Sequence, residues 1–216
     1  VVTAVDMIMT ILLAYPLSRP NYKYKKIATF FIFFTMLFSG GLIPTYIWIT
    51  RYLHLGDTIW VYILPCLVNA FHVIVIRSFF QGLPQALMES AKIDGASELQ
   101  TFFKIVMPLS KPVIATISLL TLLSRWNDWN TALIYIKSSN LYSLQYLLQK
   151  ILREAEFVKN MAESSPVAGV DLDLSNLPSV TIRFAMCMVA AGPMLIIFPF
   201  FQKYFAKGLT VGAVKG

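Results

Sequence analysis

The sequence is short of charge. Asp, Glu, Lys and Arg make up 13% of its 216 residues, where an ordinary soluble domain carries about 25%. It is short of cysteine too: Cys66 and Cys187 lie far apart in apolar surroundings, without metal-ligand spacing. They read as small buried hydrophobes, which excludes a disulfide framework. No glycine-rich phosphate loop is present, so the chain does not itself hydrolyse ATP. No H-E-x-x-H occurs, and only Asp6 and Asp128 offer carboxylates inside long apolar stretches, which argues against an embedded protease. A coupled secondary carrier built from two broken-helix halves should show an internal repeat, and none is found. The chain opens on Val1 with no basic leader.

What is present is apolar sequence in long blocks. Hydrophobic residues reach 57%, and they are massed rather than alternating, which points to lipid rather than a soluble core. Crossing about 30 Å of hydrocarbon takes about 20 helical residues. Five blocks suffice: Val1 to Ser18, Ile27 to Thr50, Ile59 to Ile76, Pro112 to Ile136 and Val180 to Phe201. The expected fold is therefore all-α, a polytopic membrane protein. Gly40, Gly41 and Pro44 predict a break or a close helix contact in the second block.

The net charge of +7 is placed as lipid-facing proteins place it, not as a nucleic-acid surface. Arg19, Lys23, Lys25 and Lys26 fill the first gap; Arg77, Lys92, Lys104 and Lys111 sit in the third; Lys203, Lys207 and Lys215 follow the last block. The second gap has only Arg51, and in the long fourth gap, 137–179, acids outnumber bases. The positive-inside rule puts the first and third gaps and the tail in the cytoplasm, and Val1 outside. A cytoplasmic N-terminus needs one more span upstream, so the expectation is six spans in the full-length protein and five here. In the fourth gap, Leu144, Leu147, Leu148, Ile151 and Leu152 keep helical spacing before a polar stretch, 163–178. A solvated connector and a docking surface for an outside partner both fit.

The third gap, 77–111, carries the densest local signals. Pro84 suits a first helical turn, with Leu83, Leu87 and Ala91 on one face. Gly95 closes that helix through a left-handed backbone. Ser97 and Gln100 have capping-box spacing and start a second helix. There Leu99, Phe102, Phe103, Val106 and Met107 form an apolar face, and Pro108 stops it. Two capped helices, 84–94 and 98–107, hinged at Gly95 across the cytoplasmic ends of spans, make a lever with a polar face free for a partner.

Glu89-Ser90-Ala91, three residues, Gly95, nine residues and Ile105-Val106-Met107-Pro108 resemble the cytoplasmic-loop signature of binding-protein-dependent ABC importer permeases, E-A-A … G … I-x-L-P, with Ser for Ala and Met for Leu. Gln81-Gly82-Leu83-Pro84, the run 91–96, Trp126-Asn127 and the tail 207–216 are similar to the carbohydrate-uptake branch, which includes maltose-type permeases and oligosaccharide and uronate importers. The resemblance implies a multi-pass subunit of a prokaryotic cell membrane. Its implied partners are cytoplasmic ABC ATPase subunits, a second homologous permease, an extracytoplasmic solute-binding protein, a sugar substrate and membrane lipid, with no nucleic acid. ATP is bound by the ATPase, not here. Glu89, Ser90, Ala91, Asp94, Gly95, Ile105 and Pro108 are the implied coupling residues. An ABC permease for another solute shares the loop signature.

Ionisable groups inside spans are expensive and default to functional candidates. Arg125 and Asp128 can pair at i, i+3, amid Trp126, Asn127, Trp129 and Asn130. Aromatic faces with amides and carboxylates suit a sugar pathway. Equally, Trp126 lies roughly 20 Å past Pro112 at ~1.5 Å per residue, where an outer aromatic belt would sit. Asn69 and His72 share a face, fit for interhelical hydrogen bonds or for ligand. Asp6 and Arg183 are expected near the outer interface, within reach of water, and receive no role.

Overall fold

The computed structural model describes residues 1–164 and 179–213, and among them every regular element is helical. The polar stretch expected at 163–178 falls almost wholly outside the described residues, as does the end of the tail, 214–216. The order is α1 (Val2–Ser18), α2 (Lys25–Leu37), α3 (Leu42–Ile47), α4 (Ala70–Gln81), α5 (Gln85–Ile93), α6 (Glu98–Thr101), α7 (Met107–Leu109), α8 (Lys111–Trp126), α9 (Asn130–Tyr135), α10 (Leu144–Ser164) and α11 (Ser179–Ala213). The core is a bundle of α1, α4 and α8, with α11 laid on α8 and α10 on α11. Met7, Ile11, Ala14 and Leu17 of α1 meet Val73, Ile76 and Phe80 of α4 and Ile117 of α8.

The apolar blocks become helices, but not straight ones. Among the described residues, one helix is long and apolar enough to cross a membrane, the window Phe184–Gln202 of α11; up to four spans are counted if each bent pair is one. Helix α1, with 17 residues, is a shorter apolar helix. The second block bends by 112° between α2 and the stretch that begins with α3. Gly41 sits at that break with φ +86°, a left-handed conformation that costs glycine little.

Two of the apolar blocks are interrupted. The third block is not one helix: Ile59–Tyr62 and Leu64–Cys66 are 3₁₀ turns, followed after a 43° bend by α4. Pro65 removes a donor there, and the Asn69 side chain opens a new helix by accepting from the N–H groups of Phe71 and His72. The fourth block ends as a helix at Trp126, and Asp128 starts the separate α9 by accepting from the Thr131 N–H at 3.0 Å and its hydroxyl at 2.7 Å. Asp, Asn and Ser bond locally to backbone and so begin helices better than they continue them. Cys187 is also corrected, since it is exposed on α11 rather than buried.

In a bilayer the lipid is as apolar as leucine, so packing and polar ties hold helices together rather than water exclusion. The ties are specific. Arg77 Nε of α4 donates to the Leu17 carbonyl at 3.0 Å, satisfying an orphan acceptor in the last turn of α1 and placing a cation at that helix's negative end. Trp126 Nε1 donates to the Ala190 carbonyl at 2.8 Å, joining α8 to α11. Helix α2 has no buried residue, and Phe30, Phe31, Phe33, Phe34 and Phe38 stay exposed. Such an apolar face suits lipid or another protein.

At the end of the bundle away from α5, Ile49, Val61, Ala132 and Ile136 form a second cluster. Asp57 staples it, with its φ at +56°. Its carboxylate accepts the N–H groups of Lys137 at 2.9 Å and Ser138 at 2.8 Å and the Ser138 hydroxyl at 2.6 Å. The Ser138 hydroxyl first, then the two N–H groups, hold the Asp57 carboxyl below its ordinary range. With the folded pKa depressed, the staple is present above the unfolded pKa and is lost as pH falls through the folded one. Asp57→Ala should therefore speed hydrogen exchange at the Lys137 and Ser138 amides at neutral pH. The difference from the parent chain should vanish once the pH is below the folded pKa.

Candidate functional site

The lever forms from its local signals. Helix α5 starts after Pro84, and the chain turns at Gly95 with φ +73°. Helix α6 opens with the full capping box: the Gln100 N–H donates to Ser97 Oγ at 3.2 Å, and the Ser97 N–H donates to Gln100 Oε1 at 2.9 Å. Beyond α6, residues Phe102–Val106 form a π-turn that runs into α7. Pro108 therefore does not stop the helix; it lies inside α7, and the break comes at Ser110, with a bend of 73° into α8. A π-turn beside a proline is a known way for a helix to absorb the missing N–H.

The buried faces differ from the expected ones. In α5, Met88 and Ala91 are buried while Leu87 is exposed. In the second helix Thr101, Phe102 and Val106 are buried, whereas Leu99 and Phe103 are 70% and 63% exposed. Met88, Phe102 and Val106 join the bundle core, so the lever is seated on the ends of α1, α4 and α8. Glu89, Ser90, Asp94 and Gly95 are each exposed; Ala91 is buried; Ile105 is half-buried and Pro108 exposed.

A polar cluster missed by sequence reasoning ties this lever to α1. The Tyr15 hydroxyl donates to Glu98 Oε2 at 3.1 Å and to the Glu98 carbonyl at 3.3 Å. Arg19 Nη2 donates to the same hydroxyl and lies 3.5 Å from Glu98 Oε2, with its guanidinium 4.4 Å from the Tyr15 ring centroid. Lys92 Nζ of α5 approaches Glu98 Oε1 at 3.4 Å. Tyr15 itself packs on Phe102 at 4.5 Å and on Phe80 at 6.3 Å, centroid to centroid. Beside the cluster lies a 310 Å³ pocket lined by Arg19, Asn21, Gln85, Met88, Glu89 and Lys92 among others.

The intramembrane candidates separate into different roles. Asn69 is a helix cap rather than an interhelical donor. His72 does reach other helices, with Nδ1 at 3.4 Å from Thr121 Oγ1 of α8 and 3.9 Å from Asp6 Oδ2 of α1. Asp6 corrects an expectation: it is 2% exposed, not at a watery interface, and accepts from the Thr10 hydroxyl at 3.1 Å. The Arg183 side chain is outside the described set. Arg125 lies 3.7 Å from Asp128 Oδ2 and donates to Cys66 Sγ at 2.8 Å. Asn127 caps α8 by donating to the Leu123 carbonyl at 2.9 Å. Trp129 lines a 430 Å³ pocket with Tyr146, Gln149, Lys150, Arg153 and Phe157, and the Arg153 guanidinium lies 5.5 Å from its ring. Among the described residues no cluster of His, Cys, Asp and Glu is arranged to hold a metal.

The family described as the binding-protein-dependent transport system inner membrane component matches residues 4–211. The chain belongs to this family. As a member it is a membrane component of a transport system, and the family is one of permeases rather than enzymes. It is 43% identical over 220 residues to the polygalacturonan/rhamnogalacturonan transport system permease protein YtcP of Bacillus subtilis (strain 168), covering 99% of this chain and 72% of that protein. It is 42% identical over 214 residues to protein LplC of the same organism, covering 99% and 70%. A solved bacterial ABC transporter involved in the import of the acidic polysaccharide alginate superposes with a TM-score of 0.75 at 29% identity, covering 94% of this chain and 71% of that one.

Proposed function

We propose that this permease carries an oligosaccharide or related sugar across a prokaryotic plasma membrane, driven by ATP hydrolysed on a separate subunit. The observation that carries the proposal is the seated lever: two helices turning at Gly95, buried on the bundle side through Met88, Phe102 and Val106, with Glu89, Ser90 and Asp94 left exposed. This exposed surface docks on the ATPase, and Ala91, Ile105 and Pro108 set its shape from beneath. Five spans here, the last four bent or long, form half of a pathway completed by a second permease. The bare phenylalanine face of α2 is compatible with that second subunit or with lipid.

The solute is assigned to carbohydrate because two relatives are named for polygalacturonan/rhamnogalacturonan and for alginate. The chemistry at the outer end agrees. Trp129 and Tyr146 offer ring faces, Gln149 an amide, and Arg153 and Lys150 cations around a pocket formed largely by α10, which is part of the segment 137–179 where a solute-binding protein would deliver its load. Proteoliposomes holding the permease pair, the ATPase and the binding protein should accumulate labelled oligogalacturonate only with ATP. Accumulation of an amino acid or phosphate instead would overturn the sugar assignment. Accumulation without ATP would overturn the importer.

A further inference from the structure

Helices α4 and α8 are covalently continuous with the lever, so any displacement of the lever pulls on them directly. Helix α1 is not; its cytoplasmic end meets the lever only through space. Beside the apolar packing of Tyr15 on Phe102, the polar contact there is the Tyr15–Arg19–Glu98–Lys92 cluster, in which one carboxylate takes a hydroxyl from α1 at 3.1 Å, a guanidinium from just beyond α1 at 3.5 Å and an ammonium from α5 at 3.4 Å. We infer that Glu98 is a transmission latch: a positioning residue that makes α1 move with the lever, so that ATP hydrolysis is converted into opening of the pathway. This rests on the docking role proposed for the lever.

The placement fits a latch better than a helix cap alone. Glu98 does stand in the first turn of α6, where a negative charge is favourable, and Ser97 and Gln100 already close the capping box without it. A cap would need none of Tyr15, Arg19 or Lys92. The carboxylate is 58% exposed, so each ion pair is weak and screened, which suits a contact that must break and re-form in every cycle. The Arg77–Leu17 tie holds α1 to α4 independently, so loss of the latch leaves the bundle assembled.

Two variants test this in the reconstituted full complex: Glu98→Ala, and Tyr15→Phe, which keeps the ring on Phe102 and Phe80 and removes only the hydroxyl. The readout is solute imported per ATP hydrolysed, alongside ATPase co-purification. The latch predicts normal assembly, near-normal stimulated hydrolysis and a ratio reduced about threefold, the scale of a lost exposed ion-pair network. The exchanged pair Arg19→Glu with Glu98→Arg should recover the ratio relative to either single change. An unchanged ratio in Glu98→Ala overturns the latch, and so does loss of ATPase binding, which would make Glu98 a docking residue. Gly95→Asp measured in parallel separates the two ideas: if it keeps normal stimulated hydrolysis, docking is wrong whatever Glu98 does.

Discussion

Gly95→Asp should abolish solute uptake while leaving the subunit inserted and folded. The left-handed φ of +73° costs a residue with a Cβ about 1–2 kcal/mol, and aspartate is among those that tolerate it best. An added Cβ would meet no heavy atom within 4 Å, so nothing inside the chain is displaced and the lever keeps its seat. The damage is outward. A carboxylate appears at the exposed turn, next to Asp94 in the chain, on the surface proposed above to dock on the ATPase. An ill-fitting central residue in a desolvated contact commonly costs 2 kcal/mol or more, about thirtyfold in affinity. Glu89→Lys, a charge reversal on the same proposed docking surface, should act in the same way. Gly95→Ala separates the causes, because it carries the strain without the charge and should retain most of the uptake. The measurement is substrate-stimulated ATP hydrolysis by the reconstituted complex. Normal stimulation in Gly95→Asp removes the docking role from this turn.

The lever was legible in sequence because its signals are local. A capping box needs only Ser97 and Gln100, and a left-handed turn needs only Gly95; each is read without knowing what lies nearby. The apolar face of the second helix was less legible. Straight 3.6-residue periodicity puts Leu99, Phe102, Phe103, Val106 and Met107 together, but the π-turn at Phe102–Val106 changes the phase and leaves Leu99 and Phe103 outside. The spans were legible as composition and illegible as geometry. Hydropathy does not distinguish a helix from 3₁₀ turns at Ile59–Cys66, nor does it mark Asp128 as a helix start. What sequence could not show at all was long-range pairing. Tyr15 with Glu98 and Asp6 with His72 join residues far apart in the chain, and neither pair has a spacing that announces it. A tyrosine and an arginine one turn apart at the end of an apolar block was the available hint of the former.

Asp6→Leu should destabilise the subunit measurably. Asp6 lies among α1, α4 and α8 at 2% exposure, with Thr10 fully buried beside it and Thr121 at 2%. The exposed side of α1 carries Ile8 and Leu12, so the polar face of this helix turns inward, as intramembrane polar groups do. Leucine removes the acceptor for the Thr10 hydroxyl and takes the nearest carboxylate from His72, leaving that ring only the Thr121 hydroxyl at 3.4 Å. An orphaned buried polar group costs about 1–3 kcal/mol, and the 3.9 Å separation of His72 from Asp6 is too long for a direct hydrogen bond, which argues for the middle of that range. In detergent this corresponds to a melting temperature lower by roughly 5 °C, at 2–4 °C per kcal/mol for a chain of this size. Asp6→Asn keeps an oxygen for Thr10 and should lose much less. The decisive comparison is the double variant Asp6→Leu with His72→Leu. Replacing both members of a polar pair by apolar groups is nearly neutral where replacing one is not, so the double variant should melt above Asp6→Leu alone. If the two losses simply add, the residues are uncoupled and Asp6 is held by Thr10 only.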